Sequence, residues 1–184
     1  MVNGLESAAL LDQFVNRAVS LGAVVEKVAD LKSASEFISN FCAQNGIKKV
    51  AASPGAQALF GKTISFFNPA AFRDWDQAQA GVMVAEFGIA ETGTLVHLHS
   101  GDPEKLAGIL PEICLTVIDG KKIVAESEAI AEVISGHLGG LANPGPQATF
   151  ITGPSRTADI ECQLSLGVHG PARLIILIID EAQP

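Results

Sequence analysis

The loop Gly88–Thr94 places a single carboxylate, Glu91, between small residues. Little side-chain bulk surrounds Glu91, so its carboxylate is accessible to a ligand. The hydroxyl groups of Thr92 and Thr94 and the amide of Gly93 could orient a ligand or hold the carboxylate by hydrogen bonds. The alternative interpretation is a tight turn in which Glu91 is simply solvated.

A second loop, Thr152–Glu161, leads from a strand-like segment into a predicted helix. Ser155 or Thr157 could cap the first turn of that helix, and Asp159 would complement its dipole. We therefore expect Asp159 and Glu161 to support the helix.

The same loop has the composition of an anion site. Free helix amides, hydroxyl groups and the fork of Arg156 suit a small carboxylate or phosphate. In the alternative interpretation, Arg156 only pairs with Asp159 or Glu161 on the helix surface. The loop lacks both the Gly-x4-Gly-Lys phosphate motif and the dinucleotide fingerprint. The predicted ligand-binding residues are Thr92, Gly93, Thr94, Thr152, Gly153, Ser155, Arg156 and Thr157.

Two histidine patterns complete the candidates. His169 lies between glycines in the loop Gly167–Pro171, where it could transfer a proton near neutral pH, or could merely bond a loop carbonyl. His97 and His99 share one face of a strand-like segment, the spacing of two metal ligands. Because the sequence suggests no third ligand, we predict no metal site there.

Apolar periodicity predicts the elements that must position these loops. A helix is predicted over Leu5–Ala18, with Gly22 beyond its end, and another opens at Asp30 or at Ser33 and ends at Gly46. Further predicted helices are 126–138 and 158–166, and the predicted strands are 23–28, 49–52, 64–67, 82–85, 94–99, 113–118, 148–152 and 174–179.

The alternation of strands and helices, some strands being apolar on both faces, indicates an α/β layered fold with a largely parallel sheet. In such sheets ligands lie at the carboxyl ends of the strands. We therefore expect the Glu91 and Arg156 loops to lie at one edge of the sheet and to line one cleft.

Composition narrows the classes of function. The 184 residues carry a net charge of −8 without basic clusters, which disfavours nucleic acid and anionic membranes as partners. No apolar run is long enough for a membrane span, and the first residues do not resemble a signal peptide, so we expect a cytoplasmic location. Cys42, Cys114 and Cys162 are far apart, which favours packed, reduced thiols and no cluster or other cofactor bound by this chain.

Three segments, GIAETGT, TGPSRTADIE and GVHGP, resemble in order and spacing the LutC/YkgG family of lactate-utilisation proteins, the LUD domain. The resemblance covers about residues 81–180, whereas residues 1–80 contribute only a compatible helix–strand pattern. It implies one LUD-type α/β domain over residues 1–184. Its expected fold is a Rossmann-like three-layer sandwich similar to ribose-phosphate isomerases and CoA-transferases.

The resemblance further implies a role in oxidising L-lactate to pyruvate together with two iron–sulfur partner proteins. The family motifs match Glu91 and its threonines, Thr152–Glu161, and His169 with Gly170. Where the family often has an arginine before its Leu-Leu-Pro segment, this chain has Lys105, a point charge in place of a fork, and Met83 stands where the family often has threonine.

Two hypotheses follow. In the first, the chain is a subunit of an L-lactate oxidation system that binds a small anion at the Glu91, Thr152–Arg156 and His169 loops, while the redox centres lie on partner chains. In the second, the chain is itself an enzyme that acts on a CoA ester or sugar phosphate, with Glu91 as nucleophile or base. The first hypothesis makes the chain a non-catalytic or substrate-binding subunit; the predicted catalytic residues are Glu91 and His169.

Overall fold

The computed structural model describes residues 4–69, 71–139, 145–157, 165–166 and 170–180. Its helices are α1 (Gly4–Ser20), α2 (Leu31–Gln44), α3 (Pro54–Phe60), α4 (Asp102–Ile109) and α5 (Ala131–Leu138). Its strands are β1 (Val24–Val28), β2 (Val50–Ala52), β3 (Ala80–Val84), β4 (Phe87–Ile89), β5 (Thr94–His99), β6 (Ile113–Asp119), β7 (Ile123–Val124), β8 (Gln147–Ile151), β9 (Arg156–Thr157), β10 (Ser165–Leu166) and β11 (Arg173–Ile179). Short 3-10 helices span Phe72–Gln77, Gly120–Lys122 and Ser127–Ile130.

Five strands form a parallel sheet in the order β1-β11-β6-β3-β2. Successive side chains of a strand point to opposite faces, so a central strand that is apolar throughout buries both of its faces. In β11, Leu174, Ile176 and Ile178 pack in the core on the side of α1 and α4. Ile175 and Leu177 pack on the side of α2 and α3. The predicted three-layer α/β fold is therefore confirmed.

A second sheet of four strands, in the order β7-β4-β5-β8, lies on the α1 side of the first. It is mainly antiparallel, since β5 pairs in opposite direction with both β4 and β8. The strand β4 begins three residues after β3 ends, and its Gly88 lies close to Phe14 of α1. β5 then runs in the opposite direction to β4, so its last residues return to the carboxyl end of β3, where His97 contacts the Val84 carbonyl.

Most of the predicted elements agree with the structure, including the exact span of β5 and the start of α2. Asp30, and not Ser33, caps α2: its carboxylate accepts from the Ser33 amide at 2.7 Å and from the Ser33 hydroxyl at 2.8 Å. These bonds to the ionised form lower the pKa of Asp30.

The structure differs from the predictions for one strand and for the end of one helix. Residues 64–67 form no strand; only the Phe67 amide reaches a strand, donating to the Val50 carbonyl at 2.8 Å, and Asn68 and Pro69 follow. The predicted helix over 158–166 does not extend to Leu166, because Ser165 and Leu166 pair with Thr157 and Arg156 as an antiparallel ladder. Apolar spacing over a short segment does not distinguish a helix from a strand that finds a partner.

Candidate functional site

The two predicted loops meet at the start of β5. The hydroxyl oxygens of Thr94 and Thr152 are 2.7 Å apart, although the residues are 58 positions apart in the chain, and Thr92 and Thr94 are joined over the same distance. Leu95 in β5 pairs with Ile151 in β8. This pairing brings Thr94, the first residue of β5, beside Thr152, the residue that follows β8. We call Thr92, Thr94 and Thr152 the hydroxyl chain.

The C-terminal half of α1 forms the wall behind the hydroxyl chain. Gly93 has φ +68°, and a Cβ atom there would lie 2.7 Å from the Ala18 nitrogen. Gly153 has φ +95°, and a Cβ there would lie 3.2 Å from the Leu21 carbonyl oxygen. Both loops therefore require glycine, because they turn left-handed while approaching the backbone of α1 and the residues after it.

Arg156 contacts the segment that follows α1. Its Nη2 atom donates to the carbonyl oxygen of Leu21, one of the groups that a helix end leaves without an intrahelical partner. Its predicted pairing with Asp159 or Glu161 falls outside the described residues. One guanidinium nitrogen of Arg156 therefore has a structural role, and the side chain is exposed to solvent.

Glu91 is exposed and precedes Thr92 of the hydroxyl chain in sequence. Its amide donates to the Ala125 carbonyl at 3.1 Å, and its side chain borders an open groove of about 650 Å³ on α1. The polar residues of α1 in that groove are Asp12, Gln13, Asn16, Arg17 and Ser20. Glu91 and Arg156 are thus at the same end of β5, but Ser155 and Arg156 do not line the groove that Glu91 borders.

The rest of the predicted site is only partly described. The Ser155 amide donates to the Pro171 carbonyl at 2.8 Å, and a Cβ atom on Gly170 would lie 3.2 Å from the Cβ of Ser155. The segment after β10 therefore returns to the Thr152–Arg156 loop. The side chain of Thr157 and the residues Asp159, Glu161 and His169 lie outside the described part of the chain.

We call the two loops that meet here, residues 91–94 and 152–156, the loop cluster. The loop cluster does not lie at the carboxyl edge of the parallel sheet. It is near the end of α1 and the segment before β11, which is the amino edge. The carboxyl edge instead has a cavity of about 420 Å³ with an apolar wall and four charged residues, Asp30, Lys32, Asp119 and Lys122. The sequence signal for this cavity was available, because Asp119 ends a buried strand and Asp30 immediately precedes a helix.

The histidines predicted to share a strand face are both buried. His99 uses both ring nitrogens: Nε2 lies 2.8 Å from the Thr149 hydroxyl and Nδ1 lies 3.2 Å from the Gly101 carbonyl. His97 is 3.0 Å from the Val84 carbonyl through Nδ1, and burial lowers its pKa from 6.5 to about 4. In the part of the chain that the structure describes, no three His, Cys, Asp or Glu residues are grouped to hold a metal ion.

The described cysteines fit the expectation of packed thiols. Cys114 is fully buried in the core, and burial raises its pKa to about 11. Cys42 is partly buried, and burial raises its pKa as well. Cys162 lies outside the described residues. Of the helices described, none is long and apolar enough to cross a membrane.

Comparison with known proteins shows which family this chain belongs to. The family model described as the LUD domain matches residues 11–179. A DUF162 family protein from Deinococcus radiodurans has a similar structure, with a TM-score of 0.69 and 20% sequence identity; the match covers 95% of this chain and 98% of that one. At this level of identity the structural match shows the shared fold.

Curated relatives match the chain at lower coverage. Lactate utilization protein C of Oceanobacillus iheyensis is 28% identical over 57% of this chain and 45% of its own length. Lactate utilization protein C of Bacillus subtilis is 29% identical over 58% and 44%, and the YkgG protein of Escherichia coli is 32% identical over 58% and 46%. The matched segment is thus less than half of the length of each of these relatives.

Proposed function

This chain belongs to the LUD-domain family, and from that premise we propose that it serves lactate utilisation as a component of an L-lactate oxidation system. The names of its curated relatives support the role in lactate utilisation. Oxidation of lactate to pyruvate releases two electrons and two protons, and protein side chains do not accept a hydride. In our proposal, iron–sulfur proteins that associate with this chain take the electrons, and this chain binds the small carboxylate.

The observation that supports binding at the loop cluster is the hydroxyl chain. Three hydroxyl groups have three protons, and the two bonds between them use only two. One proton therefore remains to be donated to another acceptor. Thr92 and Thr152 are both exposed, and the exposed side chain of Arg156 lies in the same loop as Thr152. A carboxylate oxygen is the acceptor that such donors bind most strongly.

The proposed proton-transfer groups are Glu91 and His169. Glu91 is exposed at the turn that holds Thr92, so a ligand could reach its carboxylate from solvent. His169, which follows β10 in sequence, retains the role predicted from the GVHGP segment. Their contribution is to hold or move the hydroxyl proton of lactate, while the electrons go to the partner proteins.

A pair of variants tests this site. Thr152→Val removes a hydroxyl group at nearly constant shape, whereas Thr152→Ser keeps it. We expect titration calorimetry with L-lactate and with pyruvate to show binding that Thr152→Val weakens about threefold to tenfold and Thr152→Ser preserves. Equal affinities for the parent and both variants would mean that the hydroxyl chain is structural only.

A second pair of variants, at Arg156, separates an effect on ligand binding from an effect on stability. Arg156→Ala removes the whole guanidinium group and with it the bond to Leu21, so it changes affinity and stability together. Arg156→Lys keeps one positive charge without the fork. If the fork binds the carboxylate, both variants should weaken lactate binding, and only Arg156→Ala should also lower the melting temperature clearly.

A separate experiment tests the proposal that this chain binds lactate while partner proteins take the electrons. We expect the purified chain with lactate and an artificial dye to show no reduction, and dye reduction to begin when the iron–sulfur partner proteins are added. Lactate-dependent reduction by the chain alone would contradict the subunit proposal. A covalent acyl adduct on Glu91, detected by mass spectrometry after incubation with a CoA ester, would instead support a stand-alone enzyme.

A further inference from the structure

A small cavity lies at the opposite end of β5 from the hydroxyl chain. Its volume is about 70 Å³, and its polar lining comes from Ser53, Glu86, His97 and His99. Val84, the last residue of β3, borders both this cavity and the larger one at the carboxyl edge. The small cavity therefore occupies the edge of a parallel sheet at which ligands usually bind. We call it the His97 cavity.

His97 presents an acceptor without a partner in this cavity. Its Nδ1 atom lies 3.0 Å from the Val84 carbonyl, which can only accept, so Nδ1 carries the proton of the neutral ring. The Nε2 atom must then be an acceptor, and it has no hydrogen-bond partner among the described residues. His97 is 2% exposed, so bulk water does not replace that partner. A buried acceptor without a hydrogen-bond partner destabilises the folded protein, and a ligand that donates a hydrogen bond to it removes this free-energy penalty.

The other polar groups define what the ligand can be. The Ser53 oxygen accepts from the Ala56 amide at 3.2 Å, so the hydroxyl proton of Ser53 is still available to donate. One carboxylate oxygen of Glu86 accepts from the Leu98 amide at 2.8 Å. His99 has both ring nitrogens bonded elsewhere. The cavity thus combines the acceptor Nε2 of His97 and the second carboxyl oxygen of Glu86 with the donor Ser53, which suits a ligand that both donates and accepts.

The volume of the cavity and the charge of Glu86 restrict the class of ligand further. One water molecule needs roughly 10–15 Å³ of such space, so 70 Å³ holds about five or six atoms other than hydrogen. An anion would enter next to the half-buried carboxyl group of Glu86, where like charges repel and little water screens them. An uncharged molecule avoids that repulsion.

We propose that the His97 cavity is a binding site for a small uncharged molecule of about five or six heavy atoms whose hydroxyl group donates to Nε2 of His97. This site is separate from the loop cluster and does not depend on the function proposed above. It adds a second ligand to the protein, recognised by one hydrogen bond that the ligand donates and one that it accepts.

Two probes that differ only in the hydroxyl group test this assignment. Lactamide (2-hydroxypropanamide) carries the hydroxyl group, and propionamide lacks it. Titration of the ¹⁵N-labelled chain, followed by long-range ¹H–¹⁵N spectra of the histidine rings, reports directly on Nε2 of His97. We expect lactamide to shift the Nε2 signal of His97 saturably and to bind about fivefold to tenfold more tightly than propionamide.

The outcomes separate the proposal from its alternatives. Absence of a saturable shift with lactamide would overturn it and leave a cavity that holds water only. Equal affinities for the two amides would overturn the role of the hydroxyl group. Lactate binding here as tightly as lactamide would overturn the assignment to an uncharged ligand.

A variant provides a second check. In His97→Leu the acceptor is replaced by an apolar side chain, and lactamide binding, measured by calorimetry, should be lost while thermal unfolding stays cooperative. Gly136→Ala, in α5, is the matched control and should bind lactamide like the parent, because a Cβ atom there meets no atom within 4 Å and Gly136 lines neither site. Because these measurements use no lactate oxidation, their failure leaves the proposed function untouched, and failure of the proposed function leaves them untouched.

Discussion

Strand β5 has a polar site at each end, and the two sites use their hydrogen-bonding groups in opposite ways. At the first end, the hydroxyl groups of Thr92, Thr94 and Thr152 bond to one another, and two of these residues are exposed. At the other end, His97 is buried and one of its ring nitrogens has no partner within the described structure. The loop cluster is therefore stable without a ligand, whereas the His97 cavity gains from one.

The two sites are far enough apart to be studied separately. A strand rises about 3.4 Å per residue, so the backbone positions of Thr94 and His97 are about 10 Å apart. Substitutions separated by more than about 7–10 Å without shared partners have nearly additive effects. A variant at one end of β5 should therefore leave binding at the other end unchanged, and a coupled response would contradict the comparison.

The largest expected effect concerns the backbone of the loop cluster. Gly93→Ala would place a Cβ atom 2.7 Å from the Ala18 nitrogen on a residue with φ +68°. We expect the free energy of unfolding, measured with urea, to fall by about 2–4 kcal/mol.

Gly136→Ala is the control for this substitution. Gly136 lies in α5, and a Cβ there meets no atom within 4 Å. We expect that variant to be as stable as the parent or slightly more stable, by roughly 0.5–1 kcal/mol. Equal stability of Gly93→Ala and the parent would show that the turn has room for a Cβ atom beside α1.

The second effect is acid sensitivity at the His97 end. The pKa of His97 is lowered from 6.5 to about 4, so between these values the unfolded chain binds a proton that the folded chain does not. The stability that comes from keeping His97 neutral is complete above pH 6.5 and is lost as the pH falls toward 4. We expect a loss of about 3 kcal/mol over this window.

His97→Leu isolates this contribution. Burial raises the pKa of Glu86, which gives a contribution of opposite sign: it is present at low pH and lost as the pH rises. Glu86 and His99 are common to the parent and the variant, so the difference between their urea-unfolding curves at each pH reports His97. Identical pH profiles for the two proteins would contradict the lowered pKa.

The third effect is the stability of the hydroxyl chain itself. Thr152→Val removes one of its two hydrogen bonds and leaves the buried Thr94 hydroxyl bonded to Thr92. We expect a loss of about 1 kcal/mol in the free energy of unfolding. Thr152→Ser should lose less than half as much, because it keeps the hydroxyl group. A loss in Thr152→Ser as large as that in Thr152→Val would contradict this expectation, because it would show that the methyl group contributes as much as the hydroxyl group.

The smallest effect on stability is expected at Glu91. Its side chain is exposed, so Glu91→Gln should change the free energy of unfolding by less than about 0.5 kcal/mol. Lactate-dependent dye reduction by the chain together with its iron–sulfur partners should nevertheless fall at least tenfold. A large loss of stability would instead show that Glu91 supports the turn between β4 and β5.

The elements that could be predicted are those whose signal is local. The span Thr94–His99 alternates in a way that only a strand satisfies, and Gly22 and Gly46 follow helices whose apolar spacing ends there. The short strands β4, β7, β9 and β10 were not predicted. Two or three residues carry no periodicity, and such strands exist only because a partner from elsewhere in the chain pairs with them.

The sequence predicted that the Glu91 and Arg156 loops lie close together, but it did not predict their surroundings. Glu91 and Arg156 were identified from residue type and loop context, and their loops do meet. The sequence did not show that Arg156 bonds the Leu21 carbonyl, because that contact spans 135 positions of the chain. It also led us to expect the carboxyl edge of the parallel sheet, whereas β4 and β5 carry the loops toward the amino edge.

The sequence by itself therefore determined the α/β class, the parallel sheet and the loops with chemical groups, since backbone preference and apolar periodicity act over a few residues. The tertiary structure decided which of the polar side chains have hydrogen-bond partners. His97 and His99 are two residues apart on one face of β5, yet His99 is fully bonded and His97 keeps one nitrogen without a described partner. That difference arises from Thr149 on a neighbouring strand and from the cavity beside β3, and no local pattern encodes either.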